Sequence, residues 1–214
     1  MDIDSFGQCL SYIAATNKKS TMETIFPMLT TLLGVIVGFG INYLRDTNKA
    51  RKEASNKRKC IDEDIQRILR SSEQAFKECL RILDSALKNQ PFRGYRLPAD
   101  IDSPCLDEYF ASIAHKYSQE ERHHIFLLIP YLNSLNECLQ KVKDIRDPSN
   151  FDETIILSRN AVGMAHHCAG ICKAIMAKGI EPEDFNIVTF TDELGVKFDC
   201  IEEARASMKS EPQV

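Results

Sequence analysis

Residues 25–44 of the chain read IFPMLTTLLGVIVGFGINYL and contain no charged side chain. As an α-helix, 20 residues extend about 30 Å, which matches the hydrocarbon core of a bilayer. A buried helix of a soluble protein usually keeps a polar stripe, whereas the polar residues here are two threonines, one asparagine and one tyrosine. The stretch therefore predicts a transmembrane helix at 24–44 in preference to a buried soluble helix.

The charges on the two sides of this helix predict its orientation. Residues 1–23 have a net charge of −1 and no basic leader, which favours a retained anchor over a cleaved signal peptide. Residues 45–59 have a net charge of +5 and are polar on every face, which predicts a basic helical stalk. Lysine and arginine beside a span remain in the cytoplasm, so segment 1–23 is predicted outside and the carboxyl side in the cytoplasm. The cations that set this topology, and that can also lie against anionic lipid, are Arg45, Lys49, Arg51, Lys52, Lys57, Arg58 and Lys59.

One face of the predicted span favours close helix packing. Thr30, Gly34, Gly38 and Asn42 recur every four residues, and the two glycines have the small-xxx-small spacing of associating membrane helices. Self-association along this face and a monomeric span are both compatible with the pattern.

The remainder of the chain predicts an all-α fold. Apolar residues at helical spacing predict four amphipathic helices, which an antiparallel cytoplasmic bundle at 60–208 would bury, leaving a flexible tail at 209–214. Ser103 is a candidate cap of the second helix, Ser118 and Glu121 have capping-box spacing, and Ser149 or Asp152 can cap the last. Residues 185–190 are compatible with a short extended segment that lacks a partner strand.

Charge and cysteine content limit the function of this domain. Residues 60–214 have a net charge of −8, and general nucleic-acid binding requires a basic face, so we expect none. Seven of the eight cysteines follow the predicted span at irregular spacings. In a cytoplasmic domain they are expected to be reduced.

The last long helix contains the residues best suited to chemistry. His166 follows Arg159 by seven residues, or two helical turns, so both side chains lie on one face. Arginine can neutralise a developing phosphorane while histidine moves a proton. This pair, with the polar Asn160 after the arginine, resembles the Arg-x4-6-His signature of the HEPN superfamily. The resemblance implies a helical-bundle ribonuclease, often dimeric and metal-independent, of bacterial defence and toxin systems, with Arg159 and His166 as its catalytic residues.

A metal site is the competing interpretation of the same helix. His167 or Cys168 lies about one helical turn from Cys172, but a metal normally needs four ligands. The remaining ligands would come from Cys79, Cys138 or His115. Buried cysteines are more often small apolar core residues, so no metal is predicted, and no cofactor motif is present.

The sequence as a whole predicts a membrane-anchored, non-enzymatic module that acts as an adaptor or regulator. Its expected partners are the lipid bilayer and either another protein or a second copy of itself. One alternative is a tethered HEPN-like ribonuclease, the only case in which RNA is a partner. The other is a membrane-disrupting effector that oligomerises along Gly34 and Gly38.

Overall fold

The computed structural model of the chain describes residues 21–92, 94–147 and 149–210, without the side-chain surroundings of 21–28, 203–204 and 207–210. The predicted segment 1–23 and tail 209–214 lie outside the described residues except for 21–23 and 209–210, which belong to the first and last helices. The α-helices of the described residues are α1 (Thr21–Leu87), α2 (Pro104–Ile113), α3 (Gln119–Lys143), α4 (Phe151–Met176), α5 (Ile187–Glu193) and α6 (Asp199–Ser210). A short 3-10 turn, Ala114–Lys116, follows α2. No strand occurs in these ranges, so the all-α prediction is confirmed.

The chain divides into two compact units, the first ending at Ala54 and the second beginning at Ser55. In the first unit, α1 exposes every residue from 29 to 46, including all the large apolar side chains. Within the part of the chain that the structure describes, no helix is long and apolar enough to cross a membrane. The span at 24–44 therefore stays a prediction.

The second unit is a helical bundle, as predicted. Its core comes mainly from the later part of α1 and from α2, α3 and α4, with Phe190 of α5, and it buries most of the apolar stripes read from the sequence. Its largest fully buried side chains include Ile61, Ile65, Ile68, Phe76, Leu80, Leu106, Ile125, Leu128, Leu135 and Leu139. The apolar stripe of α1 is less buried near the end of the helix, where Leu83 is half-buried and Leu87 is exposed.

Two of the predicted helix caps are replaced by other residues. Ser118 and Glu121 do form the capping box of α3. The hydroxyl of Ser103 does not cap α2. Asp64 of α1 caps α2 instead, because its Oδ2 accepts hydrogen bonds from the backbone N–H groups of Cys105 (2.8 Å) and Leu106 (3.1 Å).

Asn150 caps α4 in place of Ser149 or Asp152, because its side chain accepts from the backbone N–H of Glu153. The helix ends at Met176, and Gly179 follows with a φ of +88°. A Cβ at Gly179 would lie 2.4 Å from the Cβ of Glu120, so only glycine fits this close approach.

Residues 187–190 belong to α5, so the short extended segment considered for 185–190 does not form. Asn186 caps α5 by accepting from the backbone N–H groups of Val188 and Thr189, and the Thr189 hydroxyl accepts from Asn186 N–H. This capping box starts a helix that places Phe190 in the core.

The cysteines are not all reduced. A disulfide joins Cys60 of α1 to Cys105 at the start of α2, across 45 positions of sequence. Cys79, Cys138, Cys168, Cys172 and Cys200 are free. The bond therefore links the beginning of the bundle unit to its second helix.

Candidate functional site

Helix α4 holds both residues of the predicted catalytic pair, but their surroundings differ. Arg159 and Asn160 are exposed, whereas His166 is buried. Seven residues of helix place the two side chains on one face but about 10 Å apart along the axis. Whether they share a site depends on what packs against each.

His166 lies beneath aromatic side chains that follow α4 in the sequence. Its ring stacks on Phe185 with centroids 4.4 Å apart and planes at 10°, and it contacts the edge of Phe190 at 5.6 Å. Its Nε2 atom is buried without a hydrogen-bond partner. Burial lowers the pKa of His166, and the neighbouring His167 lowers it further, so the ring is neutral near pH 7.

His166 borders a cavity of about 260 Å³ that contains two further histidines, His124 and His167. His124 Nδ1 lies 2.8 Å from the Glu120 carbonyl oxygen and is therefore the protonated nitrogen that donates to it. Its Nε2 faces the carboxylate of Glu181 at 3.6 Å. The cavity offers imidazoles and one carboxylate, but no arginine lines it.

Arg159 lines a different and larger space, which we name the apolar cleft. It has a volume of about 570 Å³ and lies between α1, α4, α5 and α6. Most of its lining is aliphatic, including Leu83 and Leu87 of α1 and Ile201 of α6. Among the described residues that line it, Arg159 supplies the only positively charged side chain, beside Asn160.

The structure thus places Arg159 and His166 in separate cavities. The chemistry implied by the HEPN resemblance needs a cation and a proton-transfer group at one phosphate. A neutral imidazole with a free Nε2 suits proton transfer, but Phe185 covers this ring and Nε2 has no exposure to solvent. The structure therefore does not bring the two residues together at one site, and the catalytic pair stays a prediction.

Three of the four cysteines of the metal interpretation lie in the core, whereas Cys138 is half-buried and His115 is exposed. Cys168 and Cys172 are buried on α4 and Cys79 on α1, and burial raises the pKa of Cys79 and of Cys168 to about 12. Thiols in such surroundings stay protonated, whereas a metal binds the thiolate. Among the described residues, no three His, Cys, Asp or Glu side chains are arranged to hold a metal.

The helix face predicted for membrane packing is exposed in the first unit. Thr30, Gly34, Gly38 and Asn42 are all exposed. A Cβ added at Gly34 or at Gly38 would meet no atom within 4 Å in the single chain. These glycines are therefore not required by packing within one molecule.

Five of the seven cations predicted to set topology are exposed on α1: Arg45, Lys49, Arg51, Lys52 and Lys59. The other two, Lys57 and Arg58, are half-buried in the bundle unit. Arg58 donates to the carbonyl oxygen of Lys116 (3.0 Å), pairs with Glu121 (3.2 Å) and lies 4.7 Å above the Tyr117 ring. Lys57 lies 5.6 Å above the ring of Tyr109. The end of the predicted stalk therefore belongs to the folded unit.

Sequence reasoning missed both the Phe185 stack and the apolar cleft. The capping box of Asn186 and Thr189 was a local signal for α5 and for the position of the aromatic residues beside it. The cleft had no such signal, because its walls come from four helices far apart in the chain. In comparison with known proteins, no family model, curated protein or solved structure matches this chain.

Proposed function

We propose that this chain is a single-pass membrane-anchored protein whose helical domain is an interaction module, acting as an adaptor or regulator. The observation that supports this proposal is the apolar surface of α1 in the first unit. From 29 to 44 every residue is exposed, with Leu32, Leu33, Ile36 and Phe39 among the large apolar side chains. Exposed apolar surface of this extent marks a membrane or protein interaction site.

The proposed span begins before the residues whose side chains the structure describes. Ile25 to Met28 extend the charge-free run to 20 residues, which is the length that a bilayer core requires. The cations from Arg45 to Lys52 follow at once and are exposed. Positive charge at this position favours a cytoplasmic domain. In that compartment thiols are kept reduced, so we expect the Cys60–Cys105 bond to form there only under oxidising conditions.

Pairing of two spans would use the face that contains Gly34 and Gly38. Because a Cβ at either position meets nothing in the single chain, a larger residue there affects only contacts with a second molecule. Gly40 is a matched control, since a Cβ at Gly40 also meets nothing and its side of the helix lies away from the Thr30–Asn42 face.

The experiment uses two differently tagged copies of the full chain in one membrane. Membranes are washed with alkaline carbonate to test whether the chain is integrated. One tagged copy is then captured from detergent extracts, and the amount of the other copy captured with it measures pairing. We expect the full chain to resist extraction and a chain of residues 45–214 to be removed. Gly38→Ile should reduce pairing several-fold while Gly40→Ile leaves it unchanged. Extraction of the full chain would contradict the proposed anchor, and equal pairing of both variants would contradict pairing along the face of Gly34 and Gly38.

Substitutions at His166 and at Gly38 separate the two alternatives. A tethered ribonuclease should lose RNA cleavage in chelator on His166→Ala, with the exposed His115→Ala, outside that cavity, as its control. The neutral imidazole of His166 is the feature that favours it, and the cover of Phe185 over this ring opposes it. A membrane-disrupting effector should lose its permeabilising activity on Gly38→Ile, whereas an adaptor has neither activity to lose.

A further inference from the structure

The apolar cleft exposes side chains that a folded domain would normally bury. The stripe of α1 that forms the bundle core continues into it through Leu83 and Leu87, and 48% of Leu87 is accessible to solvent. Ile187 of α5 is likewise partly exposed on the opposite wall. A concave apolar surface of about 570 Å³ has the size and character of small-molecule sites, which span roughly 300–1,000 Å³.

Polar contacts at its edge hold the walls in place. Asp84 of α1 accepts a hydrogen bond at 3.2 Å from the backbone N–H of Cys200, near the start of α6. Lys88 forms ion pairs with Asp84 at 2.7 Å and with Asp199 at 2.8 Å. These contacts join α6 to α1, so the cleft exists before any ligand enters it.

The polar groups of the cleft indicate the charge of its ligand. Arg159 is exposed, and no described residue accepts a hydrogen bond from its guanidinium or forms an ion pair with it. Asn160 adds an amide that can donate to the same oxygen atoms. A guanidinium and an amide beside an aliphatic surface fit a carboxylate attached to an alkyl chain.

We propose that the apolar cleft binds a single-chain fatty acid. Its alkyl chain lies between the leucines of α1 and the aliphatic residues of α4, α5 and α6. Its carboxylate accepts hydrogen bonds from Arg159 and Asn160 at the mouth. The site would give the interaction module a means of responding to free fatty acid, with the membrane as its source.

The test is photolabelling of the full chain in lipid nanodiscs with a dodecanoic acid that has a diazirine near its methyl end. Mass spectrometry of the peptides locates the label. We expect it on α4, α5 and α6 at residues lining the cleft, and competition by unlabelled dodecanoate but not by dodecyltrimethylammonium. The last comparison keeps the chain length and reverses the head-group charge.

Two variants and a control test the assigned residues. Gly163 lines the cleft, and a Cβ there meets no atom within 4 Å, so Gly163→Leu should fill the space without disturbing the fold and abolish most labelling. Arg159→Gln should weaken binding by about three- to tenfold, because a solvent-exposed ion pair contributes modestly. Arg146→Gln changes an exposed arginine outside the cleft and should have no effect.

Thermal unfolding of each variant confirms that it is folded. Label confined to residues 24–44 would show partition into the bilayer alone and would overturn the proposal. Equal labelling of the wild type and of Gly163→Leu would also overturn it, as would equal competition by dodecyltrimethylammonium.

Discussion

Replacement of Ile36 by arginine tests whether the apolar part of α1 is inserted in a membrane. Ile36 lies near the middle of 24–44, and 61% of its surface is accessible in the single chain. Ile156 of the bundle unit has a nearly equal exposure of 60%, so Ile156→Arg is a matched control. In water each exchange alters an exposed side chain and changes the free energy of unfolding by at most about 0.5 kcal/mol.

In a bilayer the two exchanges differ greatly. Isoleucine at the centre of a span favours insertion by about 0.5 kcal/mol, whereas arginine opposes it by about 2.5–3.5 kcal/mol. The change of about 3–4 kcal/mol lowers the insertion equilibrium by about a hundredfold or more. We expect carbonate washing of membranes to release Ile36→Arg and to retain Ile156→Arg and the wild type. Equal retention of the two variants would refute the assignment of the span.

Three further predictions concern the bundle unit. Cys60→Ser opens a loop of 45 residues and should lower the free energy of unfolding by about 4 kcal/mol on the chain-entropy model, measured by urea unfolding in oxidising buffer. Because the pKa of His166 is lowered in the folded protein, the unfolded chain binds more protons on acidification. Acidification from pH 7.5 to 5.5 should therefore lower the melting temperature through this group. His166→Gln should reduce this dependence of the melting temperature on pH. Gly163→Ala should stabilise α4 by about 1 kcal/mol, whereas Gly170→Ala should destabilise it, because its Cβ would lie 2.7 Å from the ring stacked on His166.

Each of these predictions has its own control. Cys138→Ser changes a free, half-buried cysteine and should not reproduce the effect of Cys60→Ser. Equal unfolding curves for Cys60→Ser and the wild type in oxidising buffer would contradict the disulfide. His115→Gln changes an exposed histidine that does not line the cavity of His166 and should keep the pH dependence of the wild type. An unchanged dependence in His166→Gln would show that this histidine is not the group responsible. Equal melting temperatures for Gly170→Ala and Gly163→Ala would contradict the predicted clash and would show that the Phe185 ring moves aside without loss of stability.

Local patterns predicted the helices of this protein more accurately than their ends. The apolar stripes at Ile61–Leu80 and Ile125–Leu139 are buried, and the capping box of Ser118 forms as predicted. The cap of α2 was missed because the acceptor, Asp64, comes from another helix about 40 positions earlier in the chain. A cap supplied from such a distance has no local spacing by which to recognise it.

The candidate site shows the same limit. Helical spacing placed Arg159 and His166 on one face, but it could not show that Phe185 covers the histidine or that Arg159 borders a cleft. Those surroundings arise from residues after α4 and from the far end of α1. For the same reason, Lys57 and Arg58 were predicted in the stalk, although tyrosines of the bundle unit contact both.

The sequence by itself determined the all-α class and the apolar faces of the main bundle helices, because both depend on periodicity within a single segment. It also determined the distribution of charge, with cations after the predicted span and an acidic domain beyond them. Only the tertiary structure decided that Cys60 meets Cys105, that His166 is enclosed by aromatic rings and that Arg159 faces an apolar cleft. Each of these depends on contacts between distant segments, which are fixed by how the helices pack and not by the pattern within any one of them.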